Sequence, residues 1–172
     1  MTILIANELR KLRTIRGPWL LLAAGPVLVI VGVAGEVAGG ADLTQPQTAI
    51  HAVAHAGVVS LLTLIFGITA VAGEYRHQTI TDTYLATPRR GRVIAAKFAV
   101  YTAVGALFGL LLAITAVIAT AVAITANGGS LDLSNSDLRR TLAGGVACNA
   151  AFAASISAWG LPPAAAVFAA LR

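Results

Sequence analysis

The sequence predicts an all-α, polytopic membrane protein. It would have about four transmembrane helices, an amphipathic interfacial helix at the N-terminus and one structured cytoplasmic loop. Three observations carry that expectation. Of 172 residues, 58% are hydrophobic and only 11% charged, against roughly 45–50% apolar and about 25% charged in an average soluble domain. The mean hydropathy of +0.84 leaves too little polar surface to cover a soluble chain of this size. The polar residues are also gathered into a few short passages between long uncharged runs, as loops alternate with spans.

Residues 1–16 form the first unit and 17–172 the transmembrane domain. In MTILIANELRKLRTIR, Ile5, Leu9, Leu12 and Arg16 follow 4-3-4 spacing, and Ile15 flanks that stripe. Arg10, Lys11 and Arg13 lie mostly off it. A basic amphipathic helix of this kind suits an anionic leaflet. Arg10, Lys11, Arg13 and Arg16 are therefore expected at the lipid interface, with Trp19 as an aromatic anchor.

The first span is expected over 17–36, long enough to cross about 30 Å of hydrocarbon at about 1.5 Å per residue. Pro26 should kink it, and Glu36 ends it. More spans follow, so it reads as a membrane helix rather than a cleaved signal peptide. A loop with Gly39-Gly40, Asp42 and Pro46 leads to the second span, 50–73. His51 and His55 share one face near its start. Two histidines do not make a metal site, and polar contacts to headgroups or to a neighbouring helix fit them better.

The third span, 98–126, is longer than a minimal crossing and should tilt or project. It holds Gly105-x-x-x-Gly109, a spacing that lets helix backbones approach. A polar turn, NGGSLDLSNSD, follows, in which Ser136 or Asp137 is expected to cap the next helix. The fourth span, 138–161, carries Gly144 and Gly145 among several small-x-x-x-small pairs, and Pro162-Pro163 stops it.

The central polar passage, 74–97, holds Arg76, Arg89, Arg90, Arg92 and Lys97. With residues 1–16 it accounts for nine of the twelve lysines and arginines. The positive-inside rule puts both segments on the cytoplasmic side. Arg139 and Arg140 fall on the outer side, where they can snorkel. Thr87-Pro88 is a helix-start signal, so the third membrane helix should begin at about Pro88 with basic residues on its first turns. That placement opposes the helix macrodipole by about 0.3–1 kcal/mol per exposed charge. It points to phosphate headgroups or acidic side chains as partners, with Lys97 at the lipid interface. Determination of topology alone is the competing reading.

Several classes are excluded. The chain has no G-x-x-x-x-G-K-[ST], no H-E-x-x-H and no G-x-S-x-G, so neither a phosphate-cradling loop nor an enzyme is expected. No cofactor is expected in this chain. Cys148 is the single cysteine, which rules out an intrachain disulfide or a cysteine metal cluster. No basic face is interleaved with aromatics, so nucleic acid is not a partner.

Two passages carry a resemblance. ANELRKLRTIRGPWLLL resembles the N-terminal entry of ABC-2-type transporter permeases. GITAVAGEYRHQTITDTYLATPRRGRVIAAK resembles the passage after their second span. The likeness runs over about 6–155, including the outer turn and RRTLAGG. It implies the membrane subunit of a bacterial ABC exporter in the plasma membrane. Such a subunit pairs as a homodimer or heterodimer and couples to a separate cytoplasmic ATPase, which binds the ATP. It also implies that 74–97 contains the coupling helix, with Glu74, Arg76, Thr79, Thr83, Arg89 and Arg90 contacting the ATPase. Family members typically have six spans, so the chain is expected to be a C-terminally truncated member. The alternative is a non-transporting anchor or assembly subunit whose basic loop binds anionic lipid or a regulator.

Overall fold

The computed structural model describes residues 2–14, 16–76 and 90–159. Among these residues the chain is helical, with no strand. The helices are α1 (Thr2–Thr14), α2 (Arg16–Ala38), α3 (Pro46–Val58), α4 (Ser60–Arg76), α5 (Arg90–Ala126) and α6 (Ser136–Trp159). All-α architecture is as the composition predicts.

Among the described residues, three stretches are long and apolar enough to cross a membrane: Trp19–Ala38, Pro46–Thr69 and Val93–Ala126. The first lies in α2, which runs through Pro26 as one helix of 23 residues. The second is not one helix, as the sequence suggested, but two. α3 starts at Pro46, a position anticipated as loop; proline fits there because a first-turn N–H has no intrahelical acceptor. α3 ends at Val58, and the step to α4 is a tightened turn at Val59 (φ −66°, ψ −10°) in which the Leu62 N–H donates to the Val59 carbonyl at 2.9 Å. α5, at 37 residues, spans about 55 Å at 1.5 Å per residue. That exceeds the roughly 30 Å hydrocarbon layer, a mismatch that tilt or projection beyond the layer accommodates. α6 has 24 residues, but its two arginines, Asn149 and many small residues keep it out of the strongly apolar set.

The loops α2–α3 and α5–α6 are built alike. Each preceding helix closes with a Schellman motif, in which a left-handed glycine lets its own N–H and that of the next residue return to the last turn. In the first, Gly40 (φ +81°) donates to the Val37 carbonyl and Ala41 to that of Glu36, both at 3.0 Å. In the second, Gly128 (φ +79°) donates to Thr125 at 3.0 Å and Gly129 to Ile124 at 3.1 Å. An aspartate then folds the chain back. Asp42 accepts from the Thr44 hydroxyl (2.6 Å) and N–H (3.0 Å), and Asp132 from the Ser134 hydroxyl (2.6 Å) and N–H (2.8 Å). The hydroxyl bond, then the N–H bond, holds each carboxyl below its ordinary pKa, because both favour the charged form. The α6 cap is Asn135, not Ser136 or Asp137. Its side-chain oxygen accepts from the Asp137 N–H at 2.8 Å and the Leu138 N–H at 3.3 Å. The Asp132 turn brings it one residue ahead of the helix.

Three buried layers run along the bundle. At the end holding these loops, Val33, Leu43, Ala49, Ala52 and Ile124 pack together. Val29, Val53, Ala56, Phe108, Leu112 and Leu138 fill the middle. Leu12, Phe66, Val100, Tyr101 and Ala153 close the other end. The outward faces are apolar too: Leu107, Leu110, Leu111, Ile114, Ile118 and Val122 form one exposed stripe on α5. A helix apolar on both faces suits a hydrocarbon solvent.

Candidate functional site

The junction at the α1 end of the bundle is the candidate site, because the 77–89 passage joins α4 to α5 there. α1 turns Ile5, Glu8 and Leu12 inward, three residues at 3-4 spacing on one helical face. Leu12 packs with Phe66 of α4 and with Val100 and Tyr101 of α5, and Ile5 borders that cluster. The Phe66 and Tyr101 rings meet edge to face, 6.2 Å between centroids at 63°, a favoured aromatic geometry. Glu8 is buried at 4% exposure and accepts from Lys97 Nζ at 3.0 Å and from Lys11 Nζ at 3.2 Å. A buried carboxylate needs such partners, because an isolated charge out of water is very costly.

This corrects one expectation. The face that α1 buries against the bundle is Ile5–Glu8–Leu12, while Leu9 of the stripe read from the sequence is exposed. The physical reason is that α1 docks on α5, where Lys97 makes Glu8 acceptable on the inner face. Lys97, expected at the lipid interface, is itself buried and paired with Glu8. Arg10 is exposed and Trp19 is 53% exposed, positions open to an interface. Lys11 is half-buried beside Glu8. The side chains of Arg13 and Arg16 lie outside the described residues.

The residues expected to contact an ATPase fall mostly there as well. Thr79, Thr83 and Arg89 lie outside the described residues. Glu74 and Arg76 belong to the last turn of α4 and Arg90 to the first of α5, with their side chains outside the description. What the structure places is the frame: the loop leaves α4 at Arg76, re-enters α5 at Arg90, and two turns later α5 is clamped to α1 through Lys97.

The glycine pairs divide. A Cβ on Gly105 would stand 2.5 Å from the Ala153 Cβ and 2.6 Å from the Asn149 carbonyl oxygen. On Gly109 it would stand 2.9 Å from the Val146 Cα. Both let α5 and α6 approach closely within one chain. Gly145 is buried, with the Gly57 backbone 3.7 Å from such a Cβ. Gly144 is exposed with nothing within 4 Å, one residue round the helix from its packed neighbour, and meets no described helix of its own chain.

Between α4 and α6, inside the apolar layer, the Thr63 hydroxyl donates to Asn149 Oδ1, and Asn149 Nδ2 donates to the Gly145 carbonyl at 2.9 Å. Asn149 is 0% exposed and Thr63 1%. The sequence placed Asn149 inside a span without supplying its partner, which lies 86 residues away. Thr63→Val is expected to lower stability by about 0.6–1.7 kcal/mol, the range for a hydrogen bond between membrane helices. Chemical unfolding in detergent checks it.

In comparisons with known proteins, a family model described as ABC-2 family transporter protein matches residues 4–159. No curated protein and no solved structure matches the chain.

Proposed function

The chain belongs to the ABC-2 family of transporter proteins, and we propose that within it the protein is the membrane-spanning permease subunit of an ATP-driven exporter. The family match over 4–159 carries this reading, and the architecture supports it. A multi-pass apolar bundle is suited to sit in the bilayer and its sequence carries no phosphate-binding loop, so the energy comes from a separate cytoplasmic ATPase that binds the ATP. The 74–97 passage is the coupling element. Its basic residues engage acidic groups of the ATPase, and movement of the loop passes to α5, whose first turns are clamped to α1.

The orientation follows from charge. The α1 end and the basic loop face the cytoplasm, and the two aspartate turns face outward. The setting is a bacterial plasma membrane, and the working unit is a dimer with a second copy or another permease. The chain itself is not catalytic.

The test is affinity capture of the tagged full chain from mild-detergent membranes, with partners identified by mass. An ATPase carrying a P-loop is the expected partner. Arg89→Glu combined with Arg90→Glu should reduce its capture by about tenfold or more, since charge reversal at a contact costs more than about 1.4 kcal/mol. Undiminished capture by that variant would remove the loop from the interface. Absence of an ATPase from an abundant, inserted protein would favour a lipid-binding anchor.

A further inference from the structure

An acceptor-lined cleft sits at the far end of the bundle from the proposed ATPase contact. The last turns of α2 present Gly32, Gly35 and Glu36, Gly39 follows just past the helix end, and His55 of α3 lines the other side of this widely open cleft. The glycines leave a wall of bare backbone. The His55 ring occupies the space that a Cβ on Gly32 would need. A Cβ on Gly35 would meet nothing within 4 Å, so the space in front of it is open. Glu36 is half-buried, and no hydrogen bond or ion pair ties its side chain to another described residue.

The hydrogen-bond capacity of this cleft is one-sided. His55 Nδ1 lies 3.0 Å from the Ala52 carbonyl oxygen. A carbonyl only accepts, so Nδ1 carries the hydrogen, and in the neutral ring Nε2 is left as an acceptor. The N–H groups of Gly39, Gly40 and Ala41 are all spent on the helix end, donating to the carbonyls of Gly35, Val37 and Glu36 at 2.9, 3.0 and 3.0 Å. What remains is a carboxylate, an imidazole nitrogen and the negative end of the α2 dipole.

We propose that this cleft binds a primary ammonium group carried on an amphiphile: three N–H donors and a positive charge meet two acceptors and the helix C-terminus, while the alkyl chain lies along the exposed apolar side of α2. Apart from Glu36, the α2 residues lining the cleft are glycines, so no side chain there holds the ammonium away from the carboxylate. The inference does not depend on the ATPase reading, and its test needs no transport.

The probes are dodecylammonium and dodecyltrimethylammonium, which carry the same charge but differ in N–H donors. Each is titrated into the purified full chain in nonionic detergent and read by native mass spectrometry. The primary amine is expected to bind about tenfold more tightly, as charge-assisted hydrogen bonds require. Glu36→Gln should weaken it by about tenfold or more, through loss of the charged acceptor. Gly35→Leu should weaken it similarly by filling the open space, and circular dichroism should show unchanged helix content in both variants. Should Glu36→Gln fail to fold, Gly35→Leu decides alone. Preferential retention of phosphatidylethanolamine over phosphatidylcholine identifies a lipid headgroup as the source of the ammonium. Equal retention of the two lipids with selective amine binding identifies an amphiphilic amine other than a bilayer lipid as the source. Equal affinity for the two dodecyl probes, or undiminished binding by a folded Gly35→Leu variant, overturns the site.

Discussion

Lys97→Met is expected to destabilise the protein by about 3–5 kcal/mol, the cost of stripping a buried ion pair of one partner. Glu8 and Lys97 have side chains only 5% and 9% exposed and meet at 3.0 Å. Lys11, at 3.2 Å and 35% exposed, remains near Glu8, which places the loss toward the lower end. Glu8→Leu combined with Lys97→Met removes both charges and should recover most of the stability, because a buried pair replaced by apolar groups is often neutral. A double-mutant cycle on unfolding in detergent reads the coupling directly. Additive losses would show that the two groups do not act as a pair.

Gly105→Val should have an effect of similar size, about 1–3 kcal/mol or more from overpacking. The first atom added would already stand 2.5 Å from the Ala153 Cβ and 2.6 Å from a backbone oxygen of α6. Backbone cannot swing aside as a flexible side chain does, so α5 and α6 must separate. That separation would also disturb Asn149, whose carbonyl oxygen makes the close approach. Gly144→Val is the control: it faces open space and should leave the unfolding midpoint nearly unchanged. Equal loss in both variants would mean that the close approach at Gly105 does not govern, since helix propensity favours valine over glycine at both positions.

Much of the fold was legible because hydropathy and charge act over short windows. The apolar runs marked the spans, and the glycine-aspartate passages marked the two turns. Pairings between distant residues were not legible. Glu8 and Lys97 are 89 residues apart, and counting charges segment by segment assigns each to its own loop. The choice between Gly144 and Gly145 was equally hidden: adjacent small residues point about 100° apart on a helix, and only the neighbouring helix decides which is packed. The Val59 step has no legible signal, because Gly57 is an isolated glycine in an apolar run, which a helix tolerates. Of the residues expected at an ATPase contact, Thr79, Thr83 and Arg89 lie outside the described residues, so the frame around the loop is what the structure adds.

The two matching turns bear on how the chain enters the bilayer. Each closes a pair of helices with its polar groups largely answered from within: glycine N–H groups return to the helix, and each aspartate takes two bonds from the residue two places on. Under the proposed orientation these are the segments that must be carried across the hydrocarbon. A turn that brings its own hydrogen bonds gives up less hydration on the way than an open loop would. Insertion can then proceed by helical hairpins, α2 with α3 and α4 together and later α5 with α6, each crossing as a finished unit.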